Sequence, residues 1–305
     1  MIKRVIRFSI AGVGCVLNLV VLSSFVFVLY FLLLITGWLS RQWSNALLSM
    51  IDMIVYRHSM HLRMILETIC RVQFTGFGVD QLSQDQPFIM VINHRSHVDI
   101  MIIFAFFYDR IPNVKFFLKR SLMYVPFLGQ VCYLLNYIFV QKISTDSVRK
   151  NPKLVHQQRE KIKKQCQELT SAPVTLAVFA EGTRFSEDKK ARQKTLRFEN
   201  LLSPQPAGLA LAIEACAQSV DQLLDVTLVY DVGFVSVWLL LSGQVSTIEV
   251  HLESHSLAEM QLVGDYVKDR QFRKRFTDWV RYLWQRKDAL MTNALARLRR
   301  KHSAC

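Results

Sequence analysis

From Phe8 to Ser40 the chain runs for 33 residues without a formal charge, with Lys3, Arg4 and Arg7 before it and Arg41 after it. Nothing else in the sequence limits the possible folds as strongly, because so long an apolar run must be covered by lipid or by a core. A secretory signal has a shorter apolar stretch and a small-residue cleavage site, so the segment is expected to be retained. As one helix it would be about 50 Å long, well beyond a hydrocarbon core of about 30 Å. Gly12, Gly14, Asn18 and the Ser23–Ser24 pair interrupt it. Two readings stand. One is a tilted single span. The other is a helical hairpin dipping into one leaflet, with arms of about 15 residues that are each too short to cross. Three basic residues in the first seven place the N-terminus on the cytoplasmic side. With the body also cytoplasmic, the hairpin is the favoured reading. Residues 1–70 are therefore expected to form a membrane anchor and a connecting helix, and residues 71–305 one catalytic-size domain.

The domain reads as alternating strands and helices. Strand-like runs are VQFTGF (72–77), FIMVIN (88–93), VKFFLK (114–119), YIFVQK (137–142), VTLAVF (174–179), VTLVYD (226–231) and VSTIEVHL (245–252). Helical patterns cover 42–71, 98–108 and a long basic stretch over 144–170. This order predicts an α/β fold, a mixed and partly parallel sheet flanked by helices. The stretch 268–301 is rich in Arg and Lys, with Phe272, Phe276, Trp279 and Leu283 at helical spacing. It is read either as a basic helix on anionic lipid or as an apolar face packed on the domain with a solvated basic side.

A formal net charge of +14 calls for an anionic partner. No nucleic-acid-binding signature accompanies it, and the charge is spread over several helices, so a cytoplasmic membrane surface is the simpler explanation. The six cysteines are scattered, with no CxxC pair, which argues against zinc and disulfides and fits a reducing compartment.

Two short stretches carry chemistry. FIMVIN runs into HRSHVD, placing His94 at a strand end and Asp99 in the first turn of the next helix. A carboxylate on one imidazole nitrogen fixes the tautomer and frees the other nitrogen as a general base. An H-x4-D pair by itself arises by chance in roughly one chain in three of this length. His97, two residues from Asp99, competes for the role of base. The second stretch, FAEGTRF (179–185), also follows an apolar strand. It supplies a permissive backbone position (Gly182), a hydroxyl (Thr183), a guanidinium suited to phosphate (Arg184) and a carboxylate that braces the loop or the arginine (Glu181). A lipase or esterase built on the same His and Asp would need an activated Ser or Cys, and no G-x-S-x-G elbow occurs.

NHRSHVD and FAEGTRF together resemble the first and third motifs of the glycerolipid acyltransferases of the 1-acylglycerol-3-phosphate acyltransferase (PlsC-like) family, and their wording resembles the bacterial inner-membrane YihG type. The second motif is visible in FLKRSLMYVPFLGQVCYLLNYIFVQK, where Lys119 and Arg120 match the basic pair and Pro126 and Gly129 the turn. The chain departs from the family at Asn136 and at Gln141–Lys142, which leaves Lys142 as the anion contact there. A fourth motif is faint, keeping Pro204 and Gly208.

The resemblance implies O-acyl transfer from acyl-CoA or acyl-carrier protein to the sn-2 hydroxyl of 1-acyl-sn-glycerol 3-phosphate, at the cell inner membrane with the domain facing the cytoplasm. It implies His94 as base and Asp99 as its orienter. Glu181, Gly182, Thr183, Arg184, Lys119, Arg120 and Lys142 are implied as substrate-binding, with no metal or cofactor. Another lysophospholipid, or glycerol 3-phosphate, remains open as the acceptor.

Overall fold

The computed structural model describes residues 2–36, 40–80, 82–125, 129, 132–133, 135, 137–140, 156–157, 160, 162–164, 173–193 and 198–303. The central element is the strand β2 (Phe88–Ile92), every residue of which is buried. Its side chains alternate between two cores. Phe88, Met90 and Ile92 face one with α3 (Val98–Phe107), while Ile89 and Val91 face another with the helix Pro206–Cys216 and the C-terminal helix Arg270–Ser303. Both faces are covered, so the strand reads as a continuous apolar run rather than an alternating one.

The other strands are β1 (Gln73–Phe77), β3 (Val114–Lys119), β4 (Ile138–Val140), β5 (Thr175–Phe179), β6 (Gln222–Tyr230) and β7 (Thr247–Ser256). They form a seven-stranded sheet in the order β1-β7-β6-β2-β5-β3-β4. The five strands from β6 to β4 are mutually parallel, while β7 runs antiparallel to β6 and carries β1 along with it. A mixed, mostly parallel sheet is what the alternation of elements predicts. It brings the carboxyl ends of β2, β5, β3 and β6 to one edge, where open α/β sheets place their sites.

The N-terminal segment departs from expectation. The apolar run does not fold back on itself within 8–40: α1 is a single helix from Ile2 to Thr36, about 52 Å long at 1.5 Å per residue. The residues expected to break it are accommodated. Ser23 and Ser24 donate their hydroxyls to the carbonyls of Leu19 and Val20, both at 2.8 Å. Gly14 makes room for the side chain of Ile65. The returning arm is α2 (Arg41–Met64), which opens on Ser40 as its N-cap.

The two helices run antiparallel. Val26 and Leu29 cluster with Leu47 and Ile51, and the Asn18 amide donates to the carbonyl of His58 at 3.1 Å. The His58 ring in turn contacts the Ile54 and Asn18 carbonyls. Away from this seam, α1 exposes Val13, Val16, Leu17, Val20, Phe31 and Leu34. Its most apolar window has a mean hydropathy of 2.7 and is 12% buried. Among the described residues it is the one helix long and apolar enough to cross a membrane.

The C-terminal helix follows the second of its two readings. Phe272, Phe276, Val280, Leu283 and Trp284 are buried against the sheet. Lys287 is buried with them, pairing with Asp225 of β6 and donating to the Val226 carbonyl at 2.5 Å. The expected helix over 144–170 lies mostly outside the described residues.

Candidate active site

At the end of β2 the chain turns because Asn93 lets it. The Asn93 amide is fully buried and pairs with the backbone of Leu228 in β6 like one more rung of the ladder, donating to its carbonyl at 3.1 Å and accepting its N–H at 2.8 Å. Side chain thus replaces main chain in the ladder, and the backbone is free to leave the sheet at His94. The His94 N–H then donates to Glu181 Oε1 at 3.1 Å, and its carbonyl accepts from Phe185 N at 2.8 Å. The two sequence motifs, 87 residues apart, therefore clamp one residue between them.

The turn 94–97 wraps around the carboxylate of Asp99, which is wholly buried. Its Oδ2 accepts from His94 Nδ1 at 2.8 Å, from Arg95 N at 2.7 Å and from Ser96 N at 2.9 Å. Its Oδ1 accepts the Tyr230 hydroxyl at 2.6 Å. A carboxylate in the first turn of α3 also gains from the positive helix terminus. Burial and the neighbouring negative charge of Asp99 both push the Tyr230 phenol well above its ordinary range, so it stays a donor. The His94 ring stacks on Phe179, the last residue of β5, with centroids 4.0 Å apart and planes 19° from parallel. With Nδ1–H held on Asp99, Nε2 is the basic nitrogen. The imidazole retains 14% of its exposure, enough to be reached from the sheet edge.

His97, the rival base, is placed elsewhere. It is exposed, and its Nε2 takes the guanidinium of Arg184. Because Arg184 can only donate, His97 must accept there in neutral form. Burial, the Arg184 charge and His94 all lower its basicity, against the opposing pull of Asp99.

The second motif divides into an inner and an outer part. Glu181 is 3% exposed and points inward, its Oε1 on His94 N and its Oε2 accepting from Leu202 N at 3.3 Å. That is the position of the loop brace expected of it and not of an acceptor contact, which corrects its place among the substrate-binding residues. Burial pushes its carboxyl up to about 8; Asp99 adds to the rise, while the two N–H bonds and Arg95 oppose it. Gly182 has φ +64°, a left-handed conformation that glycine adopts without strain. It swings Thr183 and Arg184 outward, where both are exposed. Lys189, from the short helix Glu187–Ala191, donates to Thr183 Oγ1 at 2.7 Å and to the Arg184 carbonyl at 2.9 Å.

Lys119 and Arg120 are exposed where β3 ends, at the same sheet edge. Lys142 lies outside the described residues. The basic groups Arg184, Lys189, Lys119 and Arg120 thus lie along the edge that presents His94, a setting for an anionic substrate group.

Several residues of the site were not singled out from the sequence. Tyr230 is the last but one residue of the run VTLVYD and the last of β6, and its place at a strand end was the signal available. Arg95 sits inside the first motif. It donates to the Asn200 carbonyl at 2.5 Å and the Gly233 carbonyl at 2.6 Å, and its guanidinium lies 4.3 Å from the Phe185 ring centroid. Asp288 of the C-terminal helix holds the 199–200 loop from behind, accepting Glu199 N and Asn200 N at 2.7 Å each. Nothing in the local sequence marks that contact.

Comparison with known proteins adds a family. The model described as Acyltransferase matches residues 73–231, about half of the chain. The chain is 25% identical over 221 residues to 1-acyl-sn-glycerol-3-phosphate acyltransferase 2 of Arabidopsis thaliana, covering 68% of this chain and 52% of that protein. It is 23% identical over 250 residues to 2-acyl-1-lysophosphatidylinositol acyltransferase of Saccharomyces cerevisiae, covering 67% and 60% respectively. The chain thus spans less than two thirds of the length of these curated relatives. Among solved structures, the 1-acyl-sn-glycerophosphate acyltransferase PlsC of Thermotoga maritima aligns with a TM-score of 0.47 at 17% identity, over 90% of this chain and 98% of that one.

Proposed function

Because the chain belongs to the Acyltransferase family, we propose that it moves a fatty acyl group from acyl-CoA or acyl-carrier protein to the sn-2 hydroxyl of a membrane-borne 1-acyl-sn-glycerol 3-phosphate, giving phosphatidic acid. The observation that carries this reading is the His94–Asp99 pair: an imidazole held through Nδ1 on a buried carboxylate with its Nε2 at the sheet edge. No protein nucleophile is needed. His94 Nε2 takes the proton of the acceptor hydroxyl as its oxygen attacks the thioester carbonyl. Asp99 stabilises the imidazolium, with Tyr230 and two backbone N–H groups keeping the carboxylate in place. As the tetrahedral intermediate collapses, the C–S bond breaks and the imidazolium returns its proton to the departing thiolate. The step consumes one alcohol and one thioester and requires no metal or redox group.

Arg184, with Lys119, Arg120, Lys142 and the newly found Lys189, would hold the acceptor phosphate, Gly182 and Thr183 shaping the loop. The α1–α2 hairpin would seat the enzyme in the membrane, α1 laying its uncovered apolar side against lipid. We place it at the cell inner membrane with the sheet facing the cytoplasm, in keeping with the basic residues at the start of α1 and with the bacterial inner-membrane wording of its motifs. A second acceptor class, another lysophospholipid, is favoured by the similarity to a lysophosphatidylinositol acyltransferase.

The test is acyl transfer from labelled acyl-CoA by membranes carrying wild type or His94→Ala, with lysophosphatidic acid, glycerol 3-phosphate and other lysophospholipids as acceptors. Phosphatidic acid formed by wild type and lost in the variant, by about 10²-fold or more, is the expected result. Activity surviving in His94→Ala would remove the base from the mechanism. Transfer to another acceptor alone would keep the chemistry and move the substrate.

A further inference from the structure

Just beyond Tyr230 the chain makes a turn and a short helix, Val237–Leu241, before it enters β7. This helix is apolar on both sides. Leu240 and Leu241 are buried in the core, whereas Val237 is 41% exposed and Trp238 42%; Phe234, in the turn before them, is 69% exposed. A soluble surface seldom gathers such residues without a partner.

Three observations say what covers them. First, the patch is continuous with α1: the rings of Phe8 and Trp238 are tilted against each other with centroids 4.4 Å apart, and Arg4 donates to Gln244 at 3.1 Å. Val5, 45% exposed and three residues before Phe8 on α1, extends the apolar surface on that side. Second, its border is cationic, with Arg4 bonded to Gln244 and Arg7 lying against Gly243. A second copy docked here would set like charges against each other, whereas anionic headgroups would complement them. Third, the patch is tied to the catalytic turn. The carbonyl of Gly233 accepts from Arg95 at 2.6 Å, and Arg95 N donates to Asp99 at 2.7 Å.

We propose that Phe234, Val237 and Trp238 form a second lipid-insertion element, seated in the interfacial layer of an anionic phospholipid membrane beside α1, from which the acceptor lipid passes to the His94 edge. This rests on the reading of the protein as an acyltransferase for a membrane-borne acceptor. Trp suits the headgroup level, where its amphipathic ring sits, and Phe the apolar face of an interfacial element. β6 and β2 are neighbours that end at the same edge, so a patch at the end of β6 meets the bilayer next to the strand that delivers His94.

The test uses the full chain and two presentations of one headgroup: long-chain lysophosphatidic acid in vesicles of phosphatidylcholine and phosphatidylglycerol, and a short-chain lysophosphatidic acid dissolved as monomer. Phe234→Ser/Val237→Ser is expected to lose about tenfold or more in kcat/KM on the vesicle acceptor, from the lost burial of two apolar side chains, and to keep wild-type kcat/KM on the monomer. Phe234→Trp should retain the vesicle activity. Equal losses on both acceptors, or none on either, would overturn the proposal. So would a dimer in detergent that the double substitution converts to monomer, since a second copy would then be the occupant.

A readout independent of turnover separates this proposal from the assigned activity. The emission of Trp238, taken as wild type minus Trp238→Phe, should be quenched by brominated acyl chains in the same vesicles. If no lysophosphatidic acid is acylated yet quenching occurs, the acceptor assignment fails and the insertion element stands. Unquenched Trp238 emission sinks the insertion element whatever the activity.

Discussion

Glu181 offers a test of the site that needs no substrate. It is 3% exposed, and burial lifts its carboxyl from an ordinary 4.5 to about 8. The folded protein therefore holds a proton there that the unfolded chain has released at neutral pH. A raised acid stabilises the fold fully below the unfolded value and loses that contribution as pH climbs through the folded one. Between about 4.5 and 8 the slope is about −1.4 kcal/mol per pH unit, and from pH 5.5 to 7.5 the loss is about 2.5 kcal/mol. Glu181→Gln removes the titration. It also sets an amide N–H against one of the two backbone donors, His94 N or Leu202 N, and this penalty does not vary with pH. Wild type should thus be the more stable by its widest margin at low pH. The margin should narrow by about 2.5 kcal/mol up to pH 7.5, or about 5–10 °C in Tm for a chain of this size. Thermal unfolding of both proteins in detergent at half-unit pH steps measures it. A margin constant with pH would refute the burial argument. A flat margin over this range is what an ionised Glu181 would give, the nearby Arg95 charge then outweighing desolvation.

Two further outcomes follow from contacts around the same loop. Tyr230→Phe removes the one hydroxyl on Asp99 Oδ1 and should cost about 1.5–3 kcal/mol of stability; kcat should fall with little change in acceptor KM, because Tyr230 touches the carboxylate and not the acceptor, and an effect on KM alone would contradict this. Asp288→Ala frees Glu199 N and Asn200 N together; it should lower stability by about 2 kcal/mol and reduce kcat through Asn200 and Arg95, and unchanged kinetics would show that the C-terminal helix does not hold the site.

What could be read from the chain, and what could not, divides along the range of the interactions. His94, Asp99, Glu181 and Arg184 stood out because each motif is local: an apolar strand delivers polar residues to a turn, and the residues of that turn meet one another within five positions, as His94 and Asp99 do. The seven-stranded order could not be read, since β2 acquires its neighbours β5 and β6 from positions 87 and 134 residues on. Phe179 under the imidazole and Tyr230 on the carboxylate both depend on that order. Glu181 was legible as a brace of the loop or the arginine, while the resemblance grouped it with the substrate; only the fold shows that its two oxygens are taken by backbone N–H groups.

Of the two readings of the apolar N-terminus, the break within 8–40 is absent for the converse reason. Gly14, Asn18 and the serine pair are weak breakers by propensity, at about 1 kcal/mol each or less, and read alone they favour a break. In the fold each is answered by a tertiary or back-bonded contact, so α1 runs on unbroken. Asn18 meets α2 at His58, and Gly14 leaves room for Ile65 just beyond it, so the segment could be interpreted only once its partner was known.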